Sequence, residues 1–298
     1  MAVNVDAAST VRSGTHQAIR RDPDPRRGPV FGQIGLYAAL FGLSALFMLP
    51  FAWLILSSLK PPEEIYAGGW WPSTISTENY GDVFRNASVG RWLFNSFIVS
   101  ILGVIAVLFS SSLVAYGFAR LRFRGRSQLF ALVMATYLLP AMVTFIPTFL
   151  IWNELGAVNT FFPLWAGNLF GSAFYIFMLR QFLFTIPQDL VDAARVDGAG
   201  YFKIYWSIML PLIRPALAAI AVFEFQAKWN DFFTPLIYIN RQELYTMALG
   251  LATMKDEFDA QWGMWMAASV IMTVPMIVLF FLAQRYFVEG IATTGLKG

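Results

Sequence analysis

Five stretches of this chain, residues 28–59, 92–119, 127–153, 155–179 and 260–284, contain no aspartate, glutamate, lysine or arginine. A helix of about 20 apolar residues crosses the hydrocarbon core of a bilayer, and a helix satisfies all of its own backbone hydrogen bonds there. The runs place spans at 34–56, 92–119, 127–153, 155–179 and 260–284, with Pro140 and Pro147 as expected kinks in the third. A further span, 215–239, has the right length and flanks but is interrupted by Glu224, Lys228 and Asp231. The chain is thus expected to be an all-α integral membrane protein of about six transmembrane helices.

Composition agrees and closes off other classes. Hydrophobic residues make up 57% of the 298 positions and charged residues 13%, against roughly 25% charged in soluble domains. There is no cysteine, so disulfides and thiolate metal sites are excluded, and the single histidine, His16, sits in a polar, arginine-rich tail. No histidine-based triad or multi-histidine metal site is available, and no catalytic or metal-binding residue is expected. Residues 1–30 have no apolar core of their own and read as a disordered tail before an uncleaved first helix. Residues 31–290 form the transmembrane domain, and 291–298 a short glycine-containing tail.

Orientation follows from lysine and arginine, which are enriched on the cytoplasmic side. With the N-terminus inside and six spans, fifteen of them fall in inside segments and five outside. The 119–127 loop is basic, the 153–161 loop carries no positive charge, and the 180–214 segment is basic again. Both termini are therefore expected in the cytoplasm. Trp70, Trp71, Trp92, Trp262 and Trp265 lie near the proposed outer boundaries, as an interfacial aromatic belt would.

The inside segment 187–211 reads as a helix, a break and a second short helix. Thr185 to Gln188 fits a capping box with proline in the first turn, and Asp189 suits the positive helix end. Leu190, Ala193, Ala194 and Asp197 share one face, and Gly198 fits a C-cap that needs positive φ. Such a pair is too short to stand alone in water. It either docks into a groove of a partner protein or packs back on the chain's own spans, and the residues alone leave both open.

Within the fifth span Glu224, Lys228 and Asp231 share one face of a continuous helix, while Gln226, Asn230 and Thr234 share another. A helix polar on two sides does not face lipid. The three charges suit an internally paired cluster. The amides of Gln226 and Asn230, beside the flat ring of Trp229, suit a neutral sugar, since aromatic faces pack on sugar rings while amides bond hydroxyls. Trp229, Asn230 and Gln226 are thus the expected lining of a translocation path.

The pattern Asp192-Ala193-Ala194, three residues, Gly198, nine residues, Ile208, one residue, Leu210-Pro211 resembles the EAA motif of ABC importer permeases, with aspartate in place of the usual glutamate. Its place, in the inside loop two spans before the C-terminus, also matches. Trp229-Asn230-Asp231-Phe232, the run from Gln284 to Gly290 continuing to Gly295-Leu296-Lys297-Gly298, and Arg91 to Ser96 resemble the second permease of maltose-type carbohydrate importers. The resemblance covers the chain from about Tyr37 onward. It implies a type I ABC importer permease of a prokaryotic cytoplasmic membrane, with Asp192, Ala193, Ala194, Asp197, Gly198, Ile208, Leu210 and Pro211 forming a coupling segment. It also implies a second, different permease, two ATP-binding subunits and an external solute-binding protein, with a sugar as cargo, or a polyol or glycerol phosphate. The tail after residue 290 would reach the ATPases. No phosphate-binding loop of the G-x-x-x-x-G-K-[ST] kind is present. ATP and magnesium are therefore expected on the partner subunits, this chain is not expected to be an enzyme, and membrane lipid but no nucleic acid is implied. A secondary carrier and a membrane enzyme using a Glu224–Lys228 dyad are the competing readings. The first is disfavoured by the lack of internal repeats and paired broken helices, the second by the lack of a catalytic constellation.

Overall fold

A computed structural model describes residues 30–66, 68–257 and 261–295 of the chain. The tail before Val30, the last residues 296–298 and positions 67 and 258–260 lie outside the described residues. Among the described residues all regular structure is helical. The chain divides after Phe51 into two units. The described part of the first unit is most of helix α1 (Val30–Ser58), which contains Pro50 and exposes large apolar side chains such as Ile34, Tyr37, Phe41, Leu46 and Phe47. A helix of this composition is stable only where the solvent is itself apolar.

The second unit is organised around the long helix α3 (Val89–Arg120), which follows a short amphipathic α2 (Glu78–Asn86). Its buried stripe runs Trp92, Asn95, Ser96, Val99, Ser100, Gly103, Ala106, Val107, Ser110 and Ser111. Small residues dominate that stripe, and in membranes it is close backbone approach, not solvent exclusion, that packs helices.

The third span is sharply broken. Helices α4 (Arg126–Tyr137) and α5 (Ala141–Glu154) meet at 96° at Pro140, whereas Pro147 sits inside α5. The fourth lies later than expected. Residues 155–161 form a turn, with Gly156 and Asn159 at positive φ (66° and 62°), and the span is Phe162–Thr185. It restarts with Pro163 in the first turn of α6 (Phe162–Trp165), passes through a 3₁₀ stretch, breaks at Gly171 (φ 80°) and continues as α7 (Ala173–Thr185). The segment toward span five contains α8 (Asp189–Val196), α9 (Tyr201–Ile204), a π-helical turn at Tyr205–Met209 and α10 (Leu210–Leu212). The chain then turns by 75° into α11 (Arg214–Trp229), with Pro215 in its first turn.

The fifth span is not one helix. α11 stops at Trp229 and a separate short helix, α12 (Phe233–Tyr238), follows. Two local causes coincide. Pro235 has no N–H to bond the carbonyl four residues back, and the Asp231 carboxylate accepts from the Thr234 N–H at 3.0 Å. Helix α13 (Met247–Glu257) packs on α3, where a Cβ at Gly250 would lie 2.3 Å from the Trp92 ring. The last helix, α14 (Trp262–Gly295), contains Pro275 and runs through the boundary expected at residue 290. Among the described residues four helical stretches are long and apolar enough to cross a bilayer, and up to six if each bent pair is one crossing.

Candidate coupling surface and translocation groove

Segment 187–211 packs back on the chain's own spans and leaves part of its apolar surface uncovered. The C-terminus of α8 closes in a Schellman motif. Gly198 has φ 78°, its N–H donates to the Arg195 carbonyl at 3.0 Å, and the Ala199 N–H donates to Ala194 at 2.9 Å. The N-terminus differs from expectation, because no capping box forms. Thr185 ends α7, with its hydroxyl donating to the Phe182 carbonyl, and Gln188 precedes α8 without a side-chain cap. Arg120, buried at the end of α3, holds this corner instead. Its guanidinium donates to Gln188 Oε1 at 2.7 Å, to the Ile186 carbonyl at 2.6 Å and to the Leu183 carbonyl.

The faces also differ from expectation. Ala194 turns inward with Val191, into the cluster that contains Leu179, Leu183, Ile204 and Met209. Ile208, Leu210 and Pro211 are half-buried, and Ile208 and Leu210 pack against the same cluster. Leu190, Ala193, Val196 and Asp197 face away from it, with Val196 88% exposed. Asp192 is exposed, 3.7 Å from Arg195 and bonded by Gln188. Phe202 and Trp206 stack with centroids 6.3 Å apart, and both are exposed. The result is an apolar outer surface on a segment clamped from inside. The clamp reaches α3: Tyr205 Oη and Ser112 Oγ are 2.8 Å apart, and Tyr116 Oη donates to the Tyr201 carbonyl at 3.0 Å. Two side-chain contacts thus fasten the segment to the central helix.

The charges of span five separate. Glu224 Oε1 accepts from Asn168 Nδ2 at 2.6 Å and lies 4.0 Å from Lys228 Nζ, and Lys228 donates to the Leu164 carbonyl at 2.7 Å. Asn168 also donates to the Gly103 carbonyl at 3.0 Å, and Ser110 donates to the Asn168 carbonyl. Gly103 is what lets these groups approach, since a Cβ there would meet Lys228 at 3.1 Å and Asn168 at 3.3 Å. The network bolts the broken fourth span to α3 and α11. Asp231 is not part of it, because it caps α12 beyond the helix break.

Trp229 is also elsewhere than expected. It is fully buried, its indole donates to the Met272 carbonyl at 3.1 Å, and its ring meets Phe97 and stacks on Phe225 at centroid distances of 4.8 and 5.5 Å. Its role is packing between α3, α11 and α14. Gln226 and Asn230 do come together, on the exposed side of α11. They line a groove of about 320 Å³ with Leu251, Ser269, Met272, Thr273 and Met276. The Asn230 amide donates to the Gln226 carbonyl at 2.9 Å. The two hydroxyls bond back to α14 carbonyls and keep acceptor capacity free. None of the seven lining residues is charged. Ser269 and Thr273, four residues apart on one face of α14, were a legible signal that went unused.

The geometry is that of a multi-pass helical transport component: broken spans, a polar groove between helices, and a clamped segment with an apolar outer face. Comparison with known proteins agrees. The model of the family described as binding-protein-dependent transport system inner membrane component matches residues 108–293. The chain is 32% identical over 280 residues to the arabinooligosaccharides transport system permease protein AraQ of Bacillus subtilis, covering 92% of this chain and 99% of that one. It is 31% identical over 282 residues to the osmoprotective compounds uptake permease protein GgtD of Synechocystis, covering 91% and 95%. Among solved structures, a bacterial ABC transporter involved in the import of the acidic polysaccharide alginate superposes with a TM-score of 0.77 at 26% identity, over 87% of this chain and 96% of that chain. The chain belongs to the binding-protein-dependent inner membrane component family, and it is a permease subunit of an ABC importer.

Proposed function

We propose that this permease and a second, different one enclose a path for a neutral carbohydrate delivered by an external binding protein, while two separate ATPase subunits hydrolyse ATP. The observation that carries the cargo class is the groove beside α11. Two amides and two hydroxyls over leucine and methionine match a solute with many hydroxyls and apolar ring faces. The names of relatives, which concern arabinooligosaccharides, lactose and melibiose or raffinose, support a sugar. The GgtD relative concerns osmoprotective compounds and keeps a polyol as second reading. An uncharged lining does not suit a glycerol phosphate, which would leave its dianion unpaired.

Single alanine substitutions of Gln226 and Asn230 test this. Each removes about one hydrogen bond to the solute, roughly 1 kcal/mol or a five-fold loss of uptake in proteoliposomes. Assembly and basal ATP hydrolysis should persist. Trp229→Ala, by contrast, empties a packed site at about 3–5 kcal/mol and should prevent assembly. Uptake unchanged in both amide variants would overturn the assignment of the groove.

The chain is oriented, in this reading, with both termini cytoplasmic, and segment 187–211 is the coupling segment on which an ATPase subunit seats. The charge asymmetry supports the orientation. Reporter fusions at Gly125 and Gly200 should read cytoplasmic, and one at Gly156 external. An external signal at Gly200 would remove the coupling role together with the topology.

A further inference from the structure

A second cavity lies away from the groove. It holds about 380 Å³, the scale of ligand sites, and is lined among others by Trp53, Ser57, Lys60, Tyr66, Trp70 and Trp262. We propose that it binds the headgroup of an anionic phospholipid, with the Lys60 ammonium facing the phosphate and the indoles seating the glycerol and the upper acyl chains.

The argument starts from Lys60. The residue is 4% exposed, and its Nζ donates to the Gly69 carbonyl at 2.8 Å. An ammonium carries three donors and a full charge. Among the described residues no carboxylate stands within ion-pair distance of it. The anion that faces it, Glu64, is engaged otherwise, since its carboxylate accepts from the Ser73 N–H at 3.0 Å and from the Ser73 hydroxyl. The bonds from the Ser73 hydroxyl and N–H, with a smaller contribution from the Lys60 charge, hold the Glu64 carboxyl below the usual carboxylate range. Asp82, on the adjoining cavity, pairs with Arg85 at 3.9 Å. A buried ammonium with one carbonyl as hydrogen-bond acceptor and Glu64 only as a more distant counter-charge is incompletely compensated, and an external anion would complete it.

Position supplies the class of anion. Lys60 follows the end of α1 by two residues, and Trp262 opens α14, so the cavity lies where two spans leave the bilayer. Indoles are favoured at headgroup level on both sides of a bilayer, and a lysine near a helix end reaches the interface, where the lipid phosphates lie. A sugar is a poorer match, because the lining offers no side-chain amide to bond its hydroxyls and its one charge is positive. A protein segment in the cavity is the competing occupant and is an outcome of the test.

The assembled complex is reconstituted in nanodiscs of phosphatidylcholine doped with phosphatidylglycerol, released into mild detergent, and its retained lipid measured by native mass spectrometry. The wild type should retain phosphatidylglycerol in preference to phosphatidylcholine. Lys60→Gln should lower that retention roughly five- to ten-fold, Lys60→Arg should preserve it, and Trp70→Ala should weaken retention of both lipids. Equal retention by Lys60→Gln and wild type overturns the proposal. So does cross-linking of a protein segment in the cavity with no lipid retained, or displacement by millimolar inorganic phosphate of a bound free phosphate in place of lipid. If Lys60→Gln does not assemble, the wild type decides alone: selective retention supports the site, and equal retention of the two lipids overturns it.

Discussion

Val196→Asp should abolish ATP-driven uptake while leaving the protein inserted and folded. Val196 is 88% exposed on α8, and with Leu190, Phe202 and Trp206 it forms an apolar surface on a segment fastened from behind by Arg120, Tyr116 and Tyr205. Covering a valine side chain with a partner contributes about 1.5–3 kcal/mol, and forcing a carboxylate into the same contact adds the desolvation of a charge. The expected loss of ATPase affinity is therefore about 100-fold or more. Co-purification of the ATPase subunit and uptake in proteoliposomes measure it, and normal values for both would sink the docking surface. Ala194→Arg is the internal contrast. Ala194 lies in the packed cluster behind the segment, so the arginine should unfold the corner, not merely release a partner. A substitution chosen from helical periodicity alone would have confused the two outcomes.

Lys228→Leu is expected to be among the most damaging single changes within the spans. It leaves the buried Glu224 carboxylate without its nearby cation and the Leu164 carbonyl without its donor. Breaking a buried pair by removing one partner costs about 3–5 kcal/mol, comparable to the whole margin of many folded proteins. Little monodisperse complex should be recovered in detergent size-exclusion chromatography. The double variant Glu224→Gln, Lys228→Leu removes the orphaned charge and keeps an acceptor for Asn168, so recovery should return in large part. A single variant as abundant and as thermostable as wild type would show that the pair carries no structural load, and its place would then be in the transport step.

Much of the architecture was legible because it depends on local sums. Gly198 needed only its own φ and the residues around it to be read as a C-cap. The break in span five was equally local, since Pro235 and Asp231 stand in plain view, but the polar periodicity running through Thr234 masked it. The displaced fourth span has the same kind of cause: Gly156 and Asn159 turn the chain, and Pro163 marks a fresh helix start. Trp229 was a different kind of error. An aromatic next to amides reads as a sugar platform, yet Trp229 and Asn230 lie about 100° apart around a helix axis. Only the positions of Phe97 and Met272 decide which of the two looks inward.

The sequence by itself determined that the chain lives in a bilayer, about how many times it crosses, and which segment lies between the fourth and fifth spans. These follow from transfer free energies summed over roughly 20 adjacent residues and from charge counts in loops, neither of which depends on what a distant residue does. Tertiary structure alone decided which face of each helix is wet, which half of the 187–211 segment is clamp and which is contact surface, and which charges pair. Those outcomes rest on approaches between residues far apart in the chain, such as Gly250 against Trp92 and Gly103 against Lys228. There a single Cβ changes whether two helices touch, because close packing is a property of both surfaces at once.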